Sequence, residues 1–125
     1  MASVGIVDDD KAVTEALRFS LESGGFTVET YGSASAFLGD KDALLLGCLV
    51  IDQQMPDMTG IELVTVLRSR RCFIPSILIT TWPNQDLRVR ALNAGCRAVL
   101  EKPLAGNTLS DSIHAAIDET RSLSV

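Results

Sequence analysis

Four short apolar runs mark the chain, and each leads into a polar or charged group. Val4-Gly5-Ile6-Val7 runs into Asp8, Asp9 and Asp10, and Cys48-Leu49-Val50-Ile51 into Asp52. Ile77-Leu78-Ile79 ends at Thr80, and Ala98-Val99-Leu100 stands two residues before Lys102. Runs this short and this apolar are the pattern of strands buried on both faces. Phe26–Tyr31 instead alternates apolar and polar residues, as a strand nearer a sheet edge does. The strands are therefore placed at about Ser3–Val7, Phe26–Tyr31, Cys48–Asp52, Ser76–Thr80 and Ala98–Glu101.

Between them the spacing changes to that of helices. Lys11–Ser23 carries Val13, Ala16, Leu17 and Leu21 on one face and stops at Gly24-Gly25. Ser33–Leu38 is a short helix. Thr59 and Glu62 have capping-box spacing, so a third helix starts near Gly60, with Ile61, Leu63, Val64 and Leu67 as its apolar stripe. A fourth spans about Gln85–Asn93 and ends at Gly95. A fifth follows Lys102-Pro103, with Leu109, Ile113, Ala116 and Ile117 on one face.

Strands alternating with helices imply a parallel sheet covered on both sides. The expected fold is α/β: a flavodoxin-like (βα)5 three-layer sandwich with a parallel five-stranded sheet in the order 2-1-3-4-5, forming one domain over residues 1–125. In that order the first and third strands are neighbours at the switch point, and Asp8, Asp9 and Asp52 meet at the carboxyl edge of the sheet.

Composition narrows the function. The 46% hydrophobic content suits a packed core. A net charge of −5 disfavours direct nucleic-acid binding, which needs a basic footprint. The arginines at positions 68, 70, 71, 88, 90 and 97 are read as solvated helix faces, with a partner-binding patch as the alternative. Three cysteines without CxxC spacing fit reduced thiols, and Cys48 reads as a core residue. No apolar run approaches the ~20 residues of a membrane span, and the first residues lack a basic signal-peptide region, so a cytoplasmic protein is expected.

The gathered groups suit a divalent cation and a phosphoryl group. Crowded carboxylates raise one another's pKa unless a cation compensates, and Mg2+ accepts carboxylate, water and phosphate oxygens. Asp52 could then act as a nucleophile toward phosphorus, with Lys102 and the metal countering the developing charge and Thr80 donating to a phosphoryl oxygen. Taken singly, a strand-end Asp is usually a helix cap, as expected for Asp10, and a strand-end Lys or Thr is usually solvated or packed. Four strand ends carrying compatible groups favour a common site.

The chain resembles a response-regulator receiver domain of two-component signalling, most closely the FixJ type. The matching segments are Ile6-Val7-Asp8-Asp9-Asp10, Ile51 to Gly60, Ile77-Leu78-Ile79-Thr80, Ala94-Gly95 and Glu101-Lys102-Pro103. The resemblance implies that Asp52 is the phospho-acceptor, served by a separate histidine kinase. It implies magnesium held by Asp9 directly, by Asp8 largely through water, by Asp52, and by the main-chain carbonyl of Gln54. Thr80 would be the switch hydroxyl, and Lys102 would pair with Asp52 and then with the phosphoryl group across a cis Lys102-Pro103 bond. The implied output is transcription control through a DNA-binding domain outside this chain. A monomer would form a homodimer on phosphorylation through the fourth helix, fifth strand and fifth helix. Such a domain turns over no metabolite, so a signalling module rather than an enzyme is expected.

Two positions depart from the family. Val99 stands where a Tyr or Phe usually turns inward on activation, which puts an aromatic switch in doubt. Thr81 replaces a Gly or Ala, and with Trp82 is expected to narrow access to Asp52. These departures keep open a phosphorylation-independent adaptor or protein-interaction module. A flavin module is disfavoured because Asp8-Asp9-Asp10 would repel a phosphate, and an aspartyl-phosphate hydrolase because Gln54 stands where those enzymes carry an acid. His114, the one histidine, is read as a solvated helix residue.

Overall fold

The apolar runs form strands because each supplies side chains to two cores at once. In a computed structural model, which describes residues 2–104 and 107–123, β1 (Ser3–Val7), β2 (Thr27–Tyr31), β3 (Cys48–Asp52), β4 (Ser76–Thr80) and β5 (Ala98–Glu101) form one sheet. Every pairing is parallel, and the order is β2-β1-β3-β4-β5. Along β3, Leu49 and Ile51 enter one apolar cluster while Cys48 and Val50 enter the other. All five residues of β3 and of β4 are buried, which explains the absence of polar alternation.

Among the described residues, five α-helices cover the sheet: α1 (Lys11–Ser23), α2 (Ala34–Leu38), α3 (Gly60–Ser69), α4 (Gln85–Ala94) and α5 (Thr108–Leu123). One core holds Phe37, Leu63, Val64, Leu67, Leu87, Ala91 and Val99 against Ile51 and Leu78. The other holds Leu21, Phe26, Leu109, Ile113 and Ala116 against Val4, Ile6, Ile77 and Ile79. Each fully buried Ile or Leu contributes roughly 2 kcal/mol of apolar transfer energy, so the sheet is fixed from both sides.

The caps sit where the sequence sets them. Asp10 accepts from the N–H groups of Ala12 and Val13 at the start of α1. Thr59 and Glu62 close a reciprocal capping box on α3. Gly95 ends α4 at φ 113°, in the left-handed region that glycine tolerates best.

Three local features differ from the reading of the sequence. Phe26 precedes β2, because its N–H bonds the Leu21 carbonyl and so completes the end of α1. A 3-10 turn at Lys41–Leu45 stands between α2 and β3, where the sequence pattern placed no element. Arg68 is no solvated helix residue: its guanidinium donates to the carbonyls of Cys72, Ile74 and Gly95 at 2.9, 3.1 and 3.0 Å. It ties the end of α3 to the start of β4 and the end of α4. No helix among the described residues is long and apolar enough to cross a membrane.

Candidate functional site

Register brings the reactive groups to one edge of the sheet. Val7 pairs with Ile51, so Asp8 and Asp52 follow on neighbouring strands. Asp52 lies beside Ile79 and Thr80 beside Glu101, which places Lys102 just past the end of β5. Carboxylate oxygens of Asp8, Asp9 and Asp52 lie within 4.8 Å of one another, a donor set that could hold a metal ion. Asp8 and Asp52 are buried and Asp9 is exposed, so the cluster opens to solvent on one side.

Lys102 is the internal counter-charge. Its Nζ lies 2.9 Å from Asp8 Oδ2 and 3.1 Å from Asp52 Oδ1. The other oxygen of Asp8 accepts the N–H of Asp10 at 2.9 Å, which aims the Asp8 carboxylate from the first turn after β1. The Lys102-Pro103 peptide bond is cis.

Burial and the charge on Asp8 push the Asp52 carboxyl above the usual carboxylate range, against hydrogen bonds from Lys102 and the Gln54 main chain that pull it down. Burial by itself would lower Lys102, but its bonds to Asp8 and Asp52 hold the ammonium above its ordinary value. Two buried carboxylates thus share a single ammonium. A second cation would relieve Asp52, and the donors present are hard oxygens of the kind Mg2+ and Ca2+ take.

The other residues weighed in the sequence take varied places. Thr80 is buried, and its hydroxyl oxygen accepts the N–H of Trp82 at 3.3 Å. Gln54 is exposed in the loop after β3, and its N–H reaches the Asp52 carboxylate. Thr81 shares the wall of an apolar pocket of about 310 Å³ with Lys102, Pro103, Ile79, Leu104 and Val13. Trp82 is 79% exposed, so its indole covers little of the site. Val99 is buried in the core with Leu87 and Ala91, and its carbonyl accepts from Arg88 at 3.1 Å. His114 is exposed on α5 and stacks obliquely on Phe26, 4.9 Å between ring centres.

Two residues the sequence did not single out shape the loop after β3. Gln53 is buried; its N–H bonds the Ile79 carbonyl at 2.9 Å and its side-chain oxygen accepts the Ile61 N–H at 3.0 Å. Asp57 reaches across to α2. A buried glutamine next to a strand-end acid was a usable signal for the first, since such a group must find partners. The second joins positions 22 residues apart and leaves no mark in local spacing.

Residues 4–114 match the response regulator receiver domain family. The chain belongs to that family. Among similar proteins, this receiver is 39% identical over 114 residues to the transcriptional regulatory protein FixJ of Rhizobium meliloti, covering 91% of this chain and 56% of that one. It is 38% identical over 112 residues to the response regulator protein TodT of Pseudomonas putida, covering 90% of this chain and 49% of TodT. The receiver thus spans about half the length of these curated relatives. The crystal structure of FixJ-N superposes with a TM-score of 0.85 at 38% identity, covering 94% of each chain. These likenesses make the receiver a signalling module of the FixJ and TodT type.

Proposed function

We propose that the domain accepts a phosphoryl group from a histidine kinase on Asp52, in a magnesium-dependent reaction, and that this switches an output surface controlling transcription. The observation that carries the proposal is the shared ammonium: Lys102 contacts Asp52 and Asp8 together, the two buried members of a three-carboxylate cluster. Family membership supports the same chemistry.

Asp8, Asp9, Asp52 and the Gln54 carbonyl would hold the cation. Bound magnesium supplies positive charge to the phosphoryl oxygens and offsets carboxylate repulsion. Asp52 attacks phosphorus through a carboxylate oxygen while the bond from phosphorus to the kinase imidazole breaks. Lys102 can follow the charge, exchanging part of its contact with Asp52 for a phosphoryl oxygen. Thr80, placed one strand away, donates its hydroxyl to another phosphoryl oxygen and gives up the Trp82 N–H it now accepts.

That exchange at Thr80 would shift populations at α4, β5 and α5. The aromatic partner usual in the family is absent, because Val99 is a core residue whose stiff side chain has no ring to turn. The output would be homodimerisation through this face and control of a DNA-binding domain outside residues 1–125, in a cytoplasmic regulator. The domain itself binds no nucleic acid in this reading and is no metabolic enzyme.

Intact mass after incubation with acetyl phosphate, with and without magnesium, tests the reading in wild type and Asp52→Asn. A magnesium-dependent phosphoryl adduct present only in wild type is expected. No adduct from either a small donor or a phosphorylated kinase would overturn the proposal in favour of a phosphate-independent adaptor.

A further inference from the structure

Asp57 stands outside the acid cluster, yet both its oxygens are occupied. Oδ2 accepts the main-chain N–H and the hydroxyl of Ser35 at 2.8 and 2.9 Å. Oδ1 accepts the N–H of Met58 at 3.1 Å and that of Ala34 at 3.4 Å. These donors hold its carboxyl below the usual range, the Ser35 N–H most strongly.

The loop between β3 and α3 is fixed at both ends. Gln53 is bonded to Ile79, Gly60 and Ile61, and Thr59 is locked by the capping box. Between those anchors runs the main chain of Gln54. Met55 and Met58 pack on the core from this span, and Asp57 adds a polar tie to a different element. That element is rigid: Ala34 and Phe37 of α2 are fully buried against the sheet. Asp57 is also not the cap that α2 depends on, since Ser33 already accepts the Ala36 N–H at 3.0 Å.

We propose that Asp57 is a positioning residue that ties the loop after β3 to the first turn of α2 and so fixes the Gln54 main chain for cation binding. The inference rests on the receiver reading, which supplies the cation. A tie of this kind acts on affinity by reducing the number of loop conformations that must be frozen when the ion arrives.

Amide hydrogen exchange and titration with MgCl2, followed residue by residue by NMR, test it in wild type, Asp57→Ala, Asp57→Asn and Ser33→Ala. Asp57→Ala should speed exchange at Gln54 and Met55 and weaken magnesium binding about tenfold, the low end for loss of a supporting group around a metal site. Asp57→Asn keeps one acceptor oxygen and should fall between Asp57→Ala and wild type. Ser33→Ala removes a cap from the same helix without touching the loop, and should change neither reading. Wild-type exchange and affinity in Asp57→Ala, or an equal change in Ser33→Ala, would overturn the proposal. Failure of magnesium to bind wild type would sink the receiver reading instead; the metal-free exchange at Gln54 then still decides whether Asp57 sets the loop.

Discussion

Lys102 and Asp8 are joined through a 2.9 Å contact between a lysine side chain that is 17% exposed and an aspartate side chain that is completely enclosed. Such a pair is worth less than its Coulomb energy suggests, because both partners gave up water to form it. Removing one partner is a different matter, since the other is left charged and dry. Lys102→Ala should destabilise the metal-free domain by about 3 kcal/mol, the low end for a broken buried pair because the ammonium keeps some contact with water. Urea unfolding at neutral pH measures it. Millimolar magnesium should recover part of the loss, by re-supplying positive charge to Asp8 and Asp52.

Gly60 opens α3 directly over the end of β3. A Cβ there would lie 2.7 Å from the Asp52 carbonyl oxygen and 2.5 Å from Leu78 Cδ1. The main chain cannot yield as a flexible side chain can, so Gly60→Ala should cost about 2–3 kcal/mol as overpacking. It should also move the Asp52 amide resonance. A variant with wild-type stability and an unmoved Asp52 signal would show that α3 can slide away from the sheet.

Thr81 shares the wall of an apolar pocket with Lys102, which itself contacts Asp8 and Asp52. If the domain is phosphorylated as proposed, Thr81→Ala should admit water more freely and raise the dephosphorylation rate severalfold. Phosphate release from the purified adduct measures this. An unchanged rate would remove Thr81 from any role in access. Trp82→Ala should do little, because the indole is mostly in solvent.

Acid should loosen the α2 side of the molecule. Hydrogen bonds to Asp57 from Ser35, and to Asp40 from the Tyr31 hydroxyl, lower both carboxyls in the folded state. Between those lowered values and the ordinary carboxylate range the unfolded chain binds more protons, so stability rises with pH there. Their contribution is therefore complete above the ordinary range and disappears as pH falls through the folded values. In Asp40→Asn with Asp57→Asn the stability curve should be flatter in acid than in wild type, as read by thermal melts across a pH series.

The fold was legible to the extent that burial leaves a periodic trace. β1, β3, β4 and β5 are bounded as their apolar runs predict, because both faces of each are covered and the next residue is polar. The capping box placed α3 at Gly60 because side-chain caps act over three residues. The 3-10 turn escaped for the opposite reason: Leu44 and Leu45 are 64% and 80% exposed, so their apolar character reports no burial. The acid cluster, Thr80 and Lys102 could be placed together because parallel topology sends every strand end to one edge. Arg68 and Asp57 could not, because they bond main-chain groups of elements distant in sequence, and any carbonyl or N–H can play that part.

The contact between Lys102 and Asp8 also has a kinetic side. Its partners are 94 residues apart, so the chain must close a loop of most of its length before they meet. Their strands, β1 and β5, are not neighbours, and β3 and β4 must be in place between them. A chain in which β5 has not docked has its carboxylates but not the ammonium that completes the cluster. Parallel pairing across such distances is slow to form, because loop closure is paid for before the contacts return anything. The pairing of residues 8 and 102 is therefore an internal gauge of completed folding, and under the proposed function the charge set for phosphoryl uptake is whole only when β1, β3, β4 and β5 are all in place.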